Sequence, residues 1–403
     1  MQDDGANNSS PASSFLYSLT AIMNNPSEFK RTVHIISWMC GILFAVFTFS
    51  YFYYMQADLL AMAQHVLSGG RTTYSPIWGA VLLTIALLIL KAAFARTIAY
   101  PLRFNALYYF PSFLVAGLLT SINLIPSTGM TLAINWIVVI SCFALFILVS
   151  WVALHYPDRK NVKQNIFAFV WTNLLLLSAE GIMAAGIADT NDICHFRLKT
   201  ERYIMEGNDS AALHVGATSI QADRPFTAMR AFALSRRQQL GDKLFEYPQY
   251  YGSDGLLPHP ADTLFSFGFA QTLFQHLKAK PAASLANTTR FFTLAAQKQS
   301  AANATADYLL CALLLDKNLD EFAATLPKYY PLNANLPLYY KQALTLYAHL
   351  HPEDSLTYSD KTEQAALNQF LRTAAPHTDP TEQANALRQQ YDKTYYWYYF
   401  CQD

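Results

Sequence analysis

The sequence predicts an all-α protein: a bundle of five transmembrane helices, then an exported domain of helical repeats. Three observations carry this expectation. Five long apolar stretches crowd the first half of the 403 residues. Basic residues fill only every second gap between them. After Ala188 the apolar runs give way to short amphipathic segments separated by turn residues.

The apolar stretches are 33–54, 77–93, 106–125, 133–154 and 166–188. Each approaches the ~20 residues a helix needs to cross a bilayer core. The second is the shortest, and its Lys91 sits near one end, where the ammonium can reach water. Lys30 and Arg31 precede the first stretch. Lys91, Arg96 and Arg103 fill the second gap, and Arg159, Lys160 and Lys163 the fourth. The first gap holds only Arg71, and the third, 126–132, has no charge. Basic loops stay on the cytoplasmic side. The expected layout is a flexible cytoplasmic tail (1–29), a five-helix membrane domain (30–188) and an exported domain (189–403). The polar tail lacks the features of a cleavable signal, and the first stretch reads as a retained anchor.

The charged share is 14%, against ~25% in ordinary soluble domains, because the spans carry almost no charge. With 28 basic and 28 acidic residues the chain has no electrostatic footprint for nucleic acid. Cys40 and Cys142 lie in spans; Cys194, Cys311 and Cys401 lie in the exported half. None has metal-ligand spacing, and one disulfide among the last three stays open. Phosphate-loop, zinc-protease, nucleophile-elbow and calcium-loop signatures are missing. No cofactor or metal is expected.

In the exported half, a first helix from about Asp192 to Glu206 ends at Gly207-Asn208-Asp209. That trio stops one helix and offers a cap for the next, expected over about Ser210–Ile220. Asp223-Arg224-Pro225 opens a third helix about 33 residues after the first, close to the ~34-residue period of tetratricopeptide-like pairs. Further helices are expected at about 261–279, 283–299, 301–317, 319–328, 336–350, 362–374 and from Pro380 on. The aromatic tail from Tyr391 to Phe400 either caps the last repeat or rests at a membrane interface.

The run Gln56-Ala57-Asp58-Leu59-Leu60-Ala61, continuing through His65 to Gly69-Gly70 and followed by Tyr74 and Gly79, resembles uncharacterised multi-span inner-membrane proteins of Bacteroidota. So does Leu240-Gly241-Asp242-Lys243-Leu244-Phe245-Glu246-Tyr247-Pro248, continuing to Gly255-Leu256-Leu257-Pro258. The resemblance implies a membrane bundle followed by a periplasmic tetratricopeptide-like domain. It brings no catalytic residues with it.

Four side chains are candidates for chemistry. Asp58 and His65 are seven apart on one short amphipathic segment, so a carboxylate facing an imidazole would give an acid–base pair. Arg71 offers a fork of donors for a phosphate or carboxylate. Glu180 is the only carboxylate within a span, where ionisable groups are functional candidates by default. Each also has a structural reading: a polar helix face at the interface, or a Glu hydrogen-bonded to Asn123, Asn135 or Asn173. Membrane lipid surrounds the first half. For the whole chain the expected role is a scaffold displaying repeats to an envelope protein or peptide. A membrane enzyme using Asp58, His65, Arg71 and Glu180 is the alternative.

Overall fold

The computed structural model describes residues 26–125, 129–132, 134–155, 166–258, 268–280, 287–298, 303–333, 335–353, 358–376 and 379–402. Most of the amino-terminal tail, Asn123 as a side chain, and the basic gap holding Arg159, Lys160 and Lys163 lie outside the described residues. The chain forms two compact units, one of Met1–Leu124 with Gly129–Thr190, the other of Ile125–Thr128 with Asn191–Asp403. Among the described residues everything regular is helical except one two-stranded ladder.

The first unit begins with α1 (Pro26–Ser50), whose last turn widens into a π-helix at Tyr51–Met55. Next come α2 (Ala57–Ser68), stopped by left-handed Gly69, and α3 (Pro76–Phe94), opened by a proline at its first turn. A Cβ at position 79 would collide with the ring of Tyr74, so only glycine lets that ring lie against the start of α3. α5 (Trp136–His155) and α6 (Ile166–Ile187) complete the long helices.

Among the described residues four helical stretches, not five, are long and apolar enough to cross a membrane: His34–Met55, Pro76–Phe94, Trp136–His155 and Phe167–Ile187. The expectation of a fifth continuous helix over 106–125 is corrected. That stretch starts as a 3-10 helix (Leu102–Tyr109) with Phe104 in a non-helical conformation. It continues as α4 (Phe110–Leu119) and then leaves the helix for strand β1 (Ile122–Ile125), paired with β2 (Gly129–Leu132). The reasons are local. Pro111 has no N–H to extend a preceding helix and is at home only in a first turn. The β-branched pair in Ile122-Asn123-Leu124-Ile125 favours a strand. The broken start is held by fully buried Asn173 of α6. Its Oδ1 accepts from the Ala106 N–H at 2.8 Å, while Nδ2 donates to the Arg103 carbonyl at 2.8 Å and to the Phe169 carbonyl at 3.0 Å.

The broken segment has a definite direction. Ser37 of α1 bonds Asn105, the Phe44 ring meets Tyr109 and Phe113, and the Tyr51 hydroxyl meets Thr120 at 2.5 Å. On its other side Ala106 meets Asn173, a Cβ at Gly117 would lie 2.9 Å from the Ala184 carbonyl, and Asp189 N–H donates to the Thr120 carbonyl. Residue numbers rise together along all three elements. α1, the 3-10/α4 segment and α6 therefore run in the same direction, side by side, over roughly 20 Å at 1.5 Å per residue. α5 stands at the rim, with Ile137 79% exposed and Trp136, Ile140 and Leu148 also uncovered.

The second unit is built of helical hairpins. α7 (Asp192–Met205) pairs with α8 (Asp209–His214), α9 (Arg224–Arg236) with α10 (Leu240–Lys243), and α13 (Asn303–Leu315) with α14 (Leu319–Thr325). α11 (Phe269–His276) and α12 (Thr288–Ala296) lie between the second and third pairs. α15 (Leu338–Leu350), α16 (Lys361–Ala374), α17 (Pro380–Tyr391) and α18 (Tyr395–Cys401) follow. Four helix ends share one closure: a left-handed residue (Gly207, Gln238, Lys278 or Lys317) and a six-to-one bond behind it. Those bonds are Asn208 N–H to Tyr203, Gln239 to Leu234, Ala279 to Phe274 and Asn318 to Leu313. Asn208 and Asn318 then cap the following helices through Ala211 and Glu321 N–H groups. Asp223 caps α9 through Phe226 N–H, with Pro225 in the first turn.

α13 is buried on every side from Tyr308 to Leu315 and forms the axis of the core. The aromatic tail belongs to that core. Tyr395, Tyr396 and Tyr398 are buried, donating to the carbonyls of Leu314, Glu363 and Leu315 respectively. All five cysteines are free thiols.

Candidate functional site

The parallel elements of the first unit end together, and buried polar groups collect there. The π turn delivers Gln56, 2% exposed, whose Nε2 donates to the Asp189 carbonyl at 3.4 Å. Thr120 and Ser121 are buried where α4 unwinds. Asp58 follows in the first turn of α2 and is buried as well. The Gln56 Oε1 has no hydrogen-bond partner among the described residues. One carboxyl-bearing residue, two hydroxyl-bearing residues and an amide thus gather at one end of the bundle, with the backbone of Asp189.

The other sequence candidates lie elsewhere. His65 sits two turns further along α2, about 10 Å from Asp58 by helix rise. Its half-buried ring packs beside Gly70, where a Cβ would approach it at 3.3 Å. Arg71 is exposed past the end of α2. Glu180 is nine residues before Asp189 on α6, about 13 Å deeper in the bundle. It is buried, and neither carboxylate oxygen has a hydrogen-bond partner among the described residues. Asn173, one of its three expected partners, is instead committed to the backbone of the broken segment. Glu180 lies within electrostatic range of Cys40 and Tyr109, and the Lys91 ammonium lies 4.8 Å over the Tyr109 ring. Of the four candidates the structure brings only Asp58 to the polar junction.

In the second unit two groupings emerge that sequence reasoning missed. Asp307 accepts from the hydroxyls of Tyr330 at 2.6 Å and Tyr340 at 3.1 Å, and Cys311 meets the Tyr340 hydroxyl at 3.6 Å. Burial pushes the Asp307 carboxyl above its ordinary range, with the two tyrosine donors working against the shift. This cluster is satisfied within itself.

The second grouping gathers three rings and a guanidinium. Phe196 lies on Phe226 at 5.9 Å; the Arg230 guanidinium lies 3.8 Å from the Phe226 ring and 4.8 Å from the Tyr247 ring. Arg230 is 2% exposed, the only buried cation among the described residues. Its Nη2 donates to the carbonyls of Val215 (3.3 Å) and Gly216 (2.7 Å), at the end of α8. Burial lowers its pKa to about 10, while Tyr247 works the other way. An Arg in the run Arg224-Pro225-Phe226-Thr227-Ala228-Met229-Arg230 reads as solvent-facing. The signal available was Phe226 four residues earlier, on the same helix face.

Among the described residues no three His, Cys, Asp or Glu side chains come together as a metal site. Residues 270–402 match the model of a family of unknown function, DUF6057. No curated protein and no solved structure shows a match to the chain.

Proposed function

We propose that the chain is a bacterial inner-membrane protein that displays a periplasmic, tetratricopeptide-like helical domain to a protein or peptide partner of the envelope. The observation that carries this reading is the common direction of α1, the broken segment and α6. α3 and α5 are each long enough to cross between them. Two helices flanking those crossings can run parallel only if the 3-10/α4 segment traverses as well. Five traversals put Pro26 and Ile187, the two ends of this helical series, on opposite faces of the membrane. Lys30, Arg31, Lys91, Arg96 and Arg103 then favour a cytoplasmic amino terminus.

The repeat reading draws on the four matching helix closures and on spacing. α7 to α9 is 32 residues by first residue (224 − 192), and α13 to α15 is 35 (338 − 303). Stacked hairpins of this kind present extended faces to peptides. Alkaline phosphatase and green fluorescent protein fused after Gln402 test the layout, with phosphatase activity and a dark fluorophore expected. Bright fluorescence there refutes it. Crosslinking in intact cells followed by capture of the full chain tests the partner.

A membrane enzyme is the second reading, favoured by the buried polar junction of Gln56, Asp58, Thr120 and Ser121 together with the interior carboxyl of Glu180. Full complementation by Asp58→Ala, His65→Ala, Arg71→Ala and Glu180→Ala variants at normal abundance would remove it.

A further inference from the structure

We propose that Arg230 anchors an anion site in the helical unit, which takes a side-chain carboxylate of an acidic peptide when the loop 215–222 lifts. The proposal rests on the partner-binding reading above and gives that partner a chemistry. A guanidinium has five N–H donors. Here Nη2 serves two backbone carbonyls, while Nε and Nη1 have no partner among the described residues. Among the described residues no carboxylate pairs with it, so within them the charge has no counterion. Arginine excels at recognising carboxylates because its planar fork is pre-organised. The Phe226 and Tyr247 rings pack against this fork and restrict its motion.

The cover over the site is slight. It is a loop after the short α8, not a helix, and it turns at left-handed Gly216. Among the described residues three side-chain contacts hold it, beside backbone bonds from Val215 to Ala212 and from Ala217 to His214: the Arg230 bonds to Val215 and Gly216, and the Tyr250 hydroxyl on the Ile220 carbonyl at 2.9 Å. Tyr247 is tied to the end of α8 beside it through the Leu213 carbonyl at 3.3 Å. A carboxylate that takes Nη2 from the Gly216 carbonyl removes the strongest of these contacts and gains the idle Nη1 or Nε donor. Ile220 and Tyr250, 65% and 52% exposed, stand at the rim, where apolar residues flanking the acid would rest.

The test uses the full chain in detergent micelles and two labelled peptides, N-acetyl-Phe-Glu-Phe-Glu-amide and its Gln counterpart. Anisotropy reports binding, and hydrogen exchange reports the amides of 215–222. Saturable binding of the Glu peptide is expected, with faster exchange in the loop. Replacing Glu by Gln in the peptide, or Arg230→Gln in the protein, weakens binding by about tenfold or more. Tyr247→Phe keeps the ring in place but drops the Leu213 bond, so it loosens the cover and tightens binding; this variant keeps the test open if Arg230→Gln does not fold. Equal binding of both peptides, no binding at millimolar peptide, or no response to either variant overturns the site. A captured cellular partner whose binding ignores Arg230→Gln sinks the site and leaves the scaffold reading. Arg230-dependent peptide binding without any captured partner does the reverse.

Discussion

Replacing Asn173 by leucine tests whether the broken third segment is held in the bundle as described. Asn173 makes three hydrogen bonds from a position with no exposure. Leucine has the same branching, with two methyl groups in place of the amide oxygen and nitrogen, so no cavity is left and the expected effect comes chiefly from lost polar contacts. Side-chain hydrogen bonds between membrane helices average about 0.6 kcal/mol. Here, however, the partners are backbone groups of a segment that is not a regular α-helix. Removing the asparagine strips an acceptor from Ala106 N–H and a donor from the Arg103 carbonyl, where little water is at hand. Each stranded backbone group costs about 1–3 kcal/mol, so Asn173→Leu should destabilise the bundle by about 2–6 kcal/mol. Ser37→Ala, which removes only the 3.2 Å bond to Asn105, should cost about 0.6 kcal/mol. Reversible unfolding in mixed micelles, followed by tryptophan fluorescence, measures both. If the two variants fall within 1 kcal/mol of each other, on the order of a single lost bond, the pinning role of Asn173 is wrong.

Gly117→Val places a branched Cβ against the Ala184 carbonyl, which as backbone cannot move aside; a loss of about 1–3 kcal/mol is expected in the same unfolding assay. Burial, aided by the Arg236 charge, holds the His276 pKa below its ordinary value. A histidine kept neutral in the folded state stabilises above its unfolded pKa of ~6.5 and loses that contribution as pH falls toward the folded value. Melting temperature should therefore drop from pH 7 to 5.5 in wild type, and by less in His276→Gln. Tyr395→Ala should cost about 3–5 kcal/mol, since its buried ring also donates to the Leu314 carbonyl. Phe400→Ala, 43% exposed, should cost about 1 kcal/mol or less. Residues 270–402 expressed alone should lack a cooperative thermal transition that 191–403 retains, because Phe245 packs on Tyr339, Tyr395 and Tyr398; equal cooperativity by circular dichroism would contradict this.

What could be read from the sequence follows from the range of the interactions involved. Helix starts in the second unit were legible because capping is local: Asn208, Asp223 and Pro225 act within three residues of themselves. The start of α7 at Asp192 and the 3-10 turn that ends at Lys328 fall where turn chemistry put them. The second helix ran long, expected to Ile220 but ending at His214, because Gly216 takes the left-handed conformation and its carbonyl is claimed by Arg230. The broken third stretch was not legible. Hydropathy counts apolar residues without regard to backbone, and the side chain that holds the break lies on α6, far along the chain. Periodicity puts Asp58 and His65 on one face of α2 but leaves about 10 Å of helix rise between them, which a shared face alone does not reveal.

The two segments that carried the family resemblance have a common physical character in the structure. Tyr74 and Gly79 form one contact, ring against backbone. Gly241 lets Pro337 and Tyr340 come within about 3 Å of where a Cβ would sit. Asp242 accepts from the Leu338 N–H at 2.8 Å and so caps α15 from a distant part of the chain. Tyr247 packs against the Arg230 guanidinium, and Gly255 sits against Thr227 of α9. These residues are joints between elements, where a substitution is felt through packing. A motif made of joints marks how a fold is assembled and need not mark where it acts. The polar junction at Gln56 and the buried fork of Arg230 are different in kind, because each holds a polar atom that the folded chain leaves without a partner among its described residues. Chemistry in this protein is better sought at those two places than along the two segments that carry the resemblance.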